Sequence, residues 1–309
     1  MKFKLNFTLI LGLILALGLT LGQNTALAQA APVPAPNSGA GINSSYNWAG
    51  YVASGGGFTS VTGTWTVPQI PAASQLTGDA SWVGIGGVTS NDLIQAGTQT
   101  LTNTNGPSSI NYQAWYEVLP GYSQPISITV NPGDSITATI NEQAQNQWAI
   151  TLRDNTNGQN FQTVIPYASS LSSAEWIKEM PSQGNGAFIP LDNFGNVQFY
   201  GGATVKNGQS LNIAQSGAQQ MAMLNSAQQT LAAPSALGYD GASFSISRSS
   251  ATATSPNIIP YGQRGWTRTG TGVRGFGGFP PRTQNLRQTY RGQSFRFRLK
   301  LFIRETFKK

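Results

Sequence analysis

The amino-acid sequence predicts an all-β protein, a sandwich of packed antiparallel sheets, and three observations carry that expectation. From Tyr46 to Ser247 the chain is a series of short alternating runs rich in Val, Ile, Thr and aromatic residues. Turn residues punctuate these runs, and nowhere does a 3.6-residue apolar period persist as an amphipathic helix would require. Roughly twelve to sixteen runs read as strands, too many for one flat sheet, so two stacked sheets are the economical arrangement.

Taken in order, the chain opens with Lys2 and Lys4, an apolar stretch from Leu5 to Gly22, and the small-residue pattern Ala28-Gln29-Ala30. That is the form of a secretory signal over residues 1–30, cleaved after Ala30. Residues 31–45, with Pro32, Pro34 and Pro36, read as an extended linker or short prosegment. The folded domain is expected over 46–247. Within it Ile126 to Val130 and Ser135 to Ile140 alternate strictly, and Asn131-Pro132-Gly133-Asp134 supplies turn chemistry for a hairpin between them. Asn105-Gly106, Asn157-Gly158 and Asn207-Gly208 mark further tight turns, because Asn and Gly accept positive φ.

At Arg248 the texture changes, and residues 248–309 read as a basic, disordered tail. Arg248 to Lys309 holds thirteen Lys or Arg against the single acid Glu305, whereas residues 31–247 hold three bases against ten acids. The folded part is therefore acidic although the whole chain carries +7. Arg153, Lys178 and Lys206 are its only basic side chains. It has few ion pairs to lose on acidification and little positive charge to repel itself once its carboxylates are protonated, which predicts tolerance of acid.

Cysteine and histidine are both absent. This excludes disulfides, Ser-His-Asp and Cys-His catalysis, HExxH motifs and Cys/His zinc sites. No metal or cofactor is expected.

Three segments carry side chains suited to chemistry. In Ser173-Ala174-Glu175-Trp176-Ile177-Lys178-Glu179-Met180, a strand would put Glu175 and Glu179 on one face, about 13 Å apart at ~3.3 Å per residue. Such a face could equally be a solvated one. In Tyr112-Gln113-Ala114-Trp115-Tyr116-Glu117-Val118, Tyr112, Ala114, Tyr116 and Val118 form a core-like face and Gln113, Trp115 and Glu117 a cleft wall or an outer face. In the third, Trp82-Val83-Gly84-Ile85 is followed by Leu93-Ile94-Gln95-Ala96-Gly97, and residue chemistry alone does not single out Gln95.

These segments, with Asn47-Trp48-Ala49-Gly50-Tyr51, appear in an order that resembles the eqolisins, the glutamic peptidases, over nearly the whole of 46–247. The resemblance implies a concanavalin-like sandwich of two antiparallel sheets of about seven strands each. It also implies a catalytic dyad at Gln95 and Glu179, with Trp82, Trp115 and Glu117 in or beside the substrate cleft. The implied activity is a secreted, monomeric acid endopeptidase acting on proteins or peptides, needing neither nucleic acid nor, after signal cleavage, a membrane. The lack of cysteine points to a bacterial-type rather than a fungal member, and Gly86 stands where fungal members commonly have aspartate. The competing reading is a carbohydrate-binding or glycan-cleaving sandwich, whose aromatic platforms and paired carboxylates Trp115 and Glu117 would serve. Loops 119–125 and 181–186 are expected to flank the cleft and close over a peptide.

Overall fold

A computed structural model describes residues 43–102, 110–182, 187–252 and 267–268. The predicted signal, most of the linker, the Asn105-Gly106 turn, part of loop 181–186 and nearly all of the tail lie outside the described residues.

Among the described residues, sixteen strands run between Asn43 and Arg248 and there is no α-helix. They are β1 (Asn43–Ser45), β2 (Trp48–Ser54), β3 (Phe58–Thr66), β4 (Gly78–Gly86), β5 (Leu93–Thr102), β6 (Ile110–Val118), β7 (Gln124–Ile126) and β8 (Ser135–Ala144). There follow β9 (Gln147–Asp154), β10 (Asn160–Pro166), β11 (Ser173–Glu179), β12 (Asn196–Lys206), β13 (Gln209–Asn212), β14 (Gln219–Leu224), β15 (Thr230–Pro234) and β16 (Phe244–Arg248). A two-residue strand β17 (Thr267–Arg268) pairs with β1.

Hydrogen bonds link the strands in the order β10-β9-β8-β3-β12-β16-β15-β14-β2-β11-β4-β5-β6-β7, antiparallel throughout. β1 joins β14 in parallel and β13 flanks β12. The two layers are thus one continuous hydrogen-bonded network rather than two separate sheets of seven. β14 and β15 pair through Met223↔Ala232 and Leu224↔Thr230, around a bulge. Asn225 holds the turn between them, its Oδ1 accepting from Ala227 N and Gln229 N.

The core lies between the layers. Trp65, Trp148 and Phe199 from β3, β9 and β12 share one apolar cluster with Val83, Ile85, Ile94 and Trp176 from β4, β5 and β11. Buried indole N–H groups are satisfied there: Trp65 Nε1 donates to Thr98 Oγ1 at 2.9 Å and Trp176 Nε1 to Thr62 O at 2.7 Å.

The expected hairpin of Ile126–Val130 with Ser135–Ile140 does not form. β7 ends at Ile126 and pairs only with β6, while β8 lies between β3 and β9. The turn chemistry is spent differently: Asn131 N donates to Asp134 Oδ2 at 2.6 Å, and the turn docks on Val67, through Val67 N to Asp134 O and Gly133 N to Val67 O. β8 is thereby handed to β3 instead of folding back on its predecessor. Asn157-Gly158 and Asn207-Gly208 do turn, between β9 and β10 and between β12 and β13.

Arg248, expected to start the tail, is the last residue of β16. Its guanidinium donates to the carbonyls of Asp192, Leu231, Ser249 and Ala251.

Candidate active site

The strands β2, β11, β4, β5 and β6 lie side by side, and the face they turn away from the main core carries a second apolar cluster. Trp48, Val52, Ala80, Trp82, Leu93, Trp115, Ile177 and Met221 compose it. Strand alternation explains the division: Ala174 and Trp176 of β11 enter the main core, so Glu175, Ile177 and Glu179 share the other face. In β6, Ala114 joins the main core and Trp115 the second cluster, the division expected for that segment.

Three rows cross this face. Glu175, Gly84, Gln95 and Glu117 stand in one; Ile177, Trp82, Gly97 and Trp115 in the next; Glu179, Ala80, Gln99 and Gln113 in the third. Gln95 and Glu179 thus occupy rows on either side of Trp82. The Trp82 indole spans the interval, with its Cζ3 atom 2.8 Å from where a Cβ on Gly84 would stand and its Nε1 donating to Glu179 Oε2 at 2.8 Å. The ring lies low because Gly97, its neighbour, has no side chain; a Cβ there would meet Ser81 O at 2.1 Å and Trp82 Cβ at 2.6 Å. Trp48 meets Trp82 edge to face, ring centroids 5.0 Å apart.

Each candidate catalytic side chain is held by a neighbour. The other oxygen of Glu179, Oε1, accepts from Asn47 Nδ2 at 3.0 Å, and Asn47 is itself fixed by Met180 N donating to Asn47 O at 2.8 Å. Two neutral donors thus hold this one half-buried carboxyl in place. Gln95 is buried, and its Nε2 donates to Glu117 Oε2 at 2.7 Å. A carboxylate only accepts, so this contact fixes which end of the Gln95 amide faces β6. Gln95 Oε1 has no hydrogen-bond partner among the described residues.

Sequence reasoning assigned no role to Asn47 or Trp48, although both stand in a quoted block; the signal was the Asn-Trp pair at the start of a strand whose partner was unknown. Gly86, where fungal relatives were expected to differ, has φ +91° and a Cβ position 2.5 Å from Asp92 O, so this backbone does not accommodate an aspartate there. Asp92 does not replace it in the cleft, since its Oδ2 accepts from Ser169 Oγ and Ser170 N.

Of the two predicted flaps, the start of 119–125 is tethered: Leu119 N donates to Leu93 O, and Leu119 O accepts from Tyr167 Oη. Residues 183–186 of the other lie outside the described residues. Among the described residues no group of three or more His, Cys, Asp or Glu side chains is placed to hold a metal, and no helix is long and apolar enough to cross a membrane.

The family model described as "Peptidase A4 family" matches residues 46–247. The chain is 31% identical over 191 residues to aspergillopepsin-2 of Aspergillus niger, a match covering 54% of this chain and 67% of that protein. It is 32% identical over 178 residues to scytalidopepsin B of Scytalidium lignicola, covering 54% of this chain and 66% of that one. In three dimensions it resembles scytalido-glutamic peptidase with a transition state analog inhibitor, at TM-score 0.58 and 26% identity, over 66% of this chain and 98% of the other. SCP-B, of the eqolisin family, in complex with the tripeptide Ala-Ile-His matches over the same shares at TM-score 0.54 and 26% identity.

Proposed function

The chain belongs to the Peptidase A4 family, and from that premise we propose that it is an acid glutamic endopeptidase in which Glu179 and Gln95 carry the reaction. The observation that bears most weight is the grip on Glu179: two neutral donors, Asn47 from the bend just before β2 and Trp82 from β4, hold its carboxylate at the apolar face that also displays Gln95.

Glu179 takes a proton from a water as that water attacks the scissile carbonyl carbon, and the same carboxyl then gives the proton to the leaving nitrogen. A carboxylic acid, with an ordinary pKa near 4.3, does both jobs best in acid, where the accepting and donating forms are both accessible. Gln95 uses one amide hydrogen on Glu117 and has the other to donate to the carbonyl oxygen as negative charge develops. A carboxamide does this without titrating. Trp82 and Trp115 give the cleft floor an apolar surface for the substrate chain, and Glu117 positions Gln95.

The same reading makes the enzyme a secreted monomer working on peptides outside the cell. The signal-like segment at residues 1–30 supports export. Glu179→Gln should abolish digestion of casein in acid while leaving the fold intact by circular dichroism. A folded Glu179→Gln protein that still digests casein would overturn the assignment.

A further inference from the structure

On the core side of β11, directly behind the catalytic face, lies a set of ionisable groups that the reaction does not use. Lys178, Asp79 and Asp192 are all buried, at 0%, 1% and 2% exposure. Lys178 Nζ donates to Asp79 Oδ1 and to Ser81 Oγ, the latter at 3.2 Å, and rests 4.7 Å from the centre of the Phe194 ring. The Asp192 backbone is tied to β4, its N–H donating to Gly78 O at 3.3 Å.

The Asp192 carboxyl faces Asp79, yet Asp79 Oδ2 and both Asp192 carboxyl oxygens find no donor among the described residues. Two buried carboxyls thus share one ammonium. The other charged groups nearby do not supply the missing donor. Arg248 acts on Asp192 at a distance, but its Nε and Nη1 donate to carbonyls and neither Asp192 carboxyl oxygen receives a bond from it. Tyr112, which feels both acids, receives Ile70 N at its hydroxyl. A proton held on the Asp192 carboxyl would supply the donor and balance the charge.

We propose that Asp79, Asp192 and Lys178 form a proton-holding latch that positions strand β11, and with it Glu179, in acid and weakens as the pH rises to neutrality. The proposal rests on the peptidase reading only in treating β11 as the catalytic strand. Burial holds the Asp192 carboxyl well above the usual aspartate range; the Asp79 charge and its bond to Asp79 add to this, and Lys178 and Arg248 oppose it. A carboxyl raised in the folded state contributes stability that is fully present below the unfolded value of about 3.9 and is lost as pH rises through the folded value. The latch is therefore closed under the conditions of acid proteolysis and strained outside them.

The test is thermal unfolding of the full chain at about pH 4 and about pH 7.5, for the parent and for Asp192→Asn, which keeps a neutral group at both pH values. The parent should lose Tm between the two conditions, and Asp192→Asn should lose less by a few degrees while still digesting casein in acid. An equal loss in both proteins overturns the proposal. Because Asp192→Asn could fail to fold, infrared spectroscopy of the parent near pH 6 gives an independent reading. A protonated buried carboxyl at a pH where ordinary acids are ionised supports the latch, and its absence overturns it. Neither reading depends on proteolysis, so each can fail while the catalytic assignment stands.

Discussion

Replacing Asn47 by alanine isolates one of the two grips on Glu179. The substitution removes Nδ2, which donates to Glu179 Oε1 at 3.0 Å, but leaves the Trp82 bond and the backbone contact from Met180 N to Asn47 O in place. A hydrogen bond to a charged acceptor contributes about 1.5–3 kcal/mol net. If that interaction is fully expressed in orienting the base, and each ~1.36 kcal/mol is tenfold, kcat/KM should fall ~10- to 150-fold. The accompanying loss of Tm should be small, since among the described residues the only other side-chain bond removed is Ser45 Oγ to Asn47 Oδ1 at 3.1 Å. The assay is steady-state cleavage of a quenched fluorescent peptide in acid, with melting followed on the same samples. A drop of less than about threefold in a fully folded protein would mean that Asn47 does not hold the catalytic carboxylate. Combining Asn47→Ala with Trp82→Phe should give a loss that departs from the product of the single effects, because both act on one group.

Gln95→Ala should lower kcat about 10²- to 10³-fold with KM little changed, the size seen when one preorganised oxyanion donor is removed; a change confined to KM would contradict that role. Gly97→Ala should abolish folded yield, because its Cβ would stand 2.1 Å from Ser81 O, and normal expression with a normal melt would show that β4 and β5 can separate there. Asp92 has its carboxyl held below the usual range: burial pushes it up, but bonds from Ser170 N and the Ser90 and Ser170 hydroxyls outweigh that. Its stabilisation is present above about pH 4 and is lost as pH falls through the depressed value, so Asp92→Asn should lower Tm at about pH 6 and have little effect at about pH 2. Trp65→Phe should cost about 1–3 kcal/mol in urea unfolding by leaving buried Thr98 Oγ1 without its donor; an unchanged midpoint would contradict this.

The strand pattern was legible because alternation is a local property. The runs over β4, β5, β6 and β11 can be read residue by residue, and the face division of β6 and β11 followed from it. Where reading failed, a distant segment had decided the outcome. Ile126–Val130 alternates as well as any strand, but Val67 captures the following turn and β3 takes β8. Lys178 was counted only as a rare base; its position opposite Glu175 and Glu179 along β11 implied a core-facing ammonium in need of a partner. Asp79 is the partner, 99 residues away, and no local pattern names it. The dyad came from a resemblance of ordered blocks, not from spacing, and the grip of Asn47 on Glu179 spans 132 residues.

The position of β2 also dictates an order of assembly. Its two neighbours are β11 and β14, so Ser54 waits for Ser173 and Gly50 for Met221. An N-terminal fragment ending before β11 contains neither neighbour, and the entropy of closing so long a loop is lost before any of these bonds forms. Folding from the N-terminus onward is therefore barred at the second strand, and Trp48, exposed at first, is covered only when the end of the domain arrives. The same event brings Asn47 to Glu179, so the proposed base is oriented only in a chain whose domain is complete.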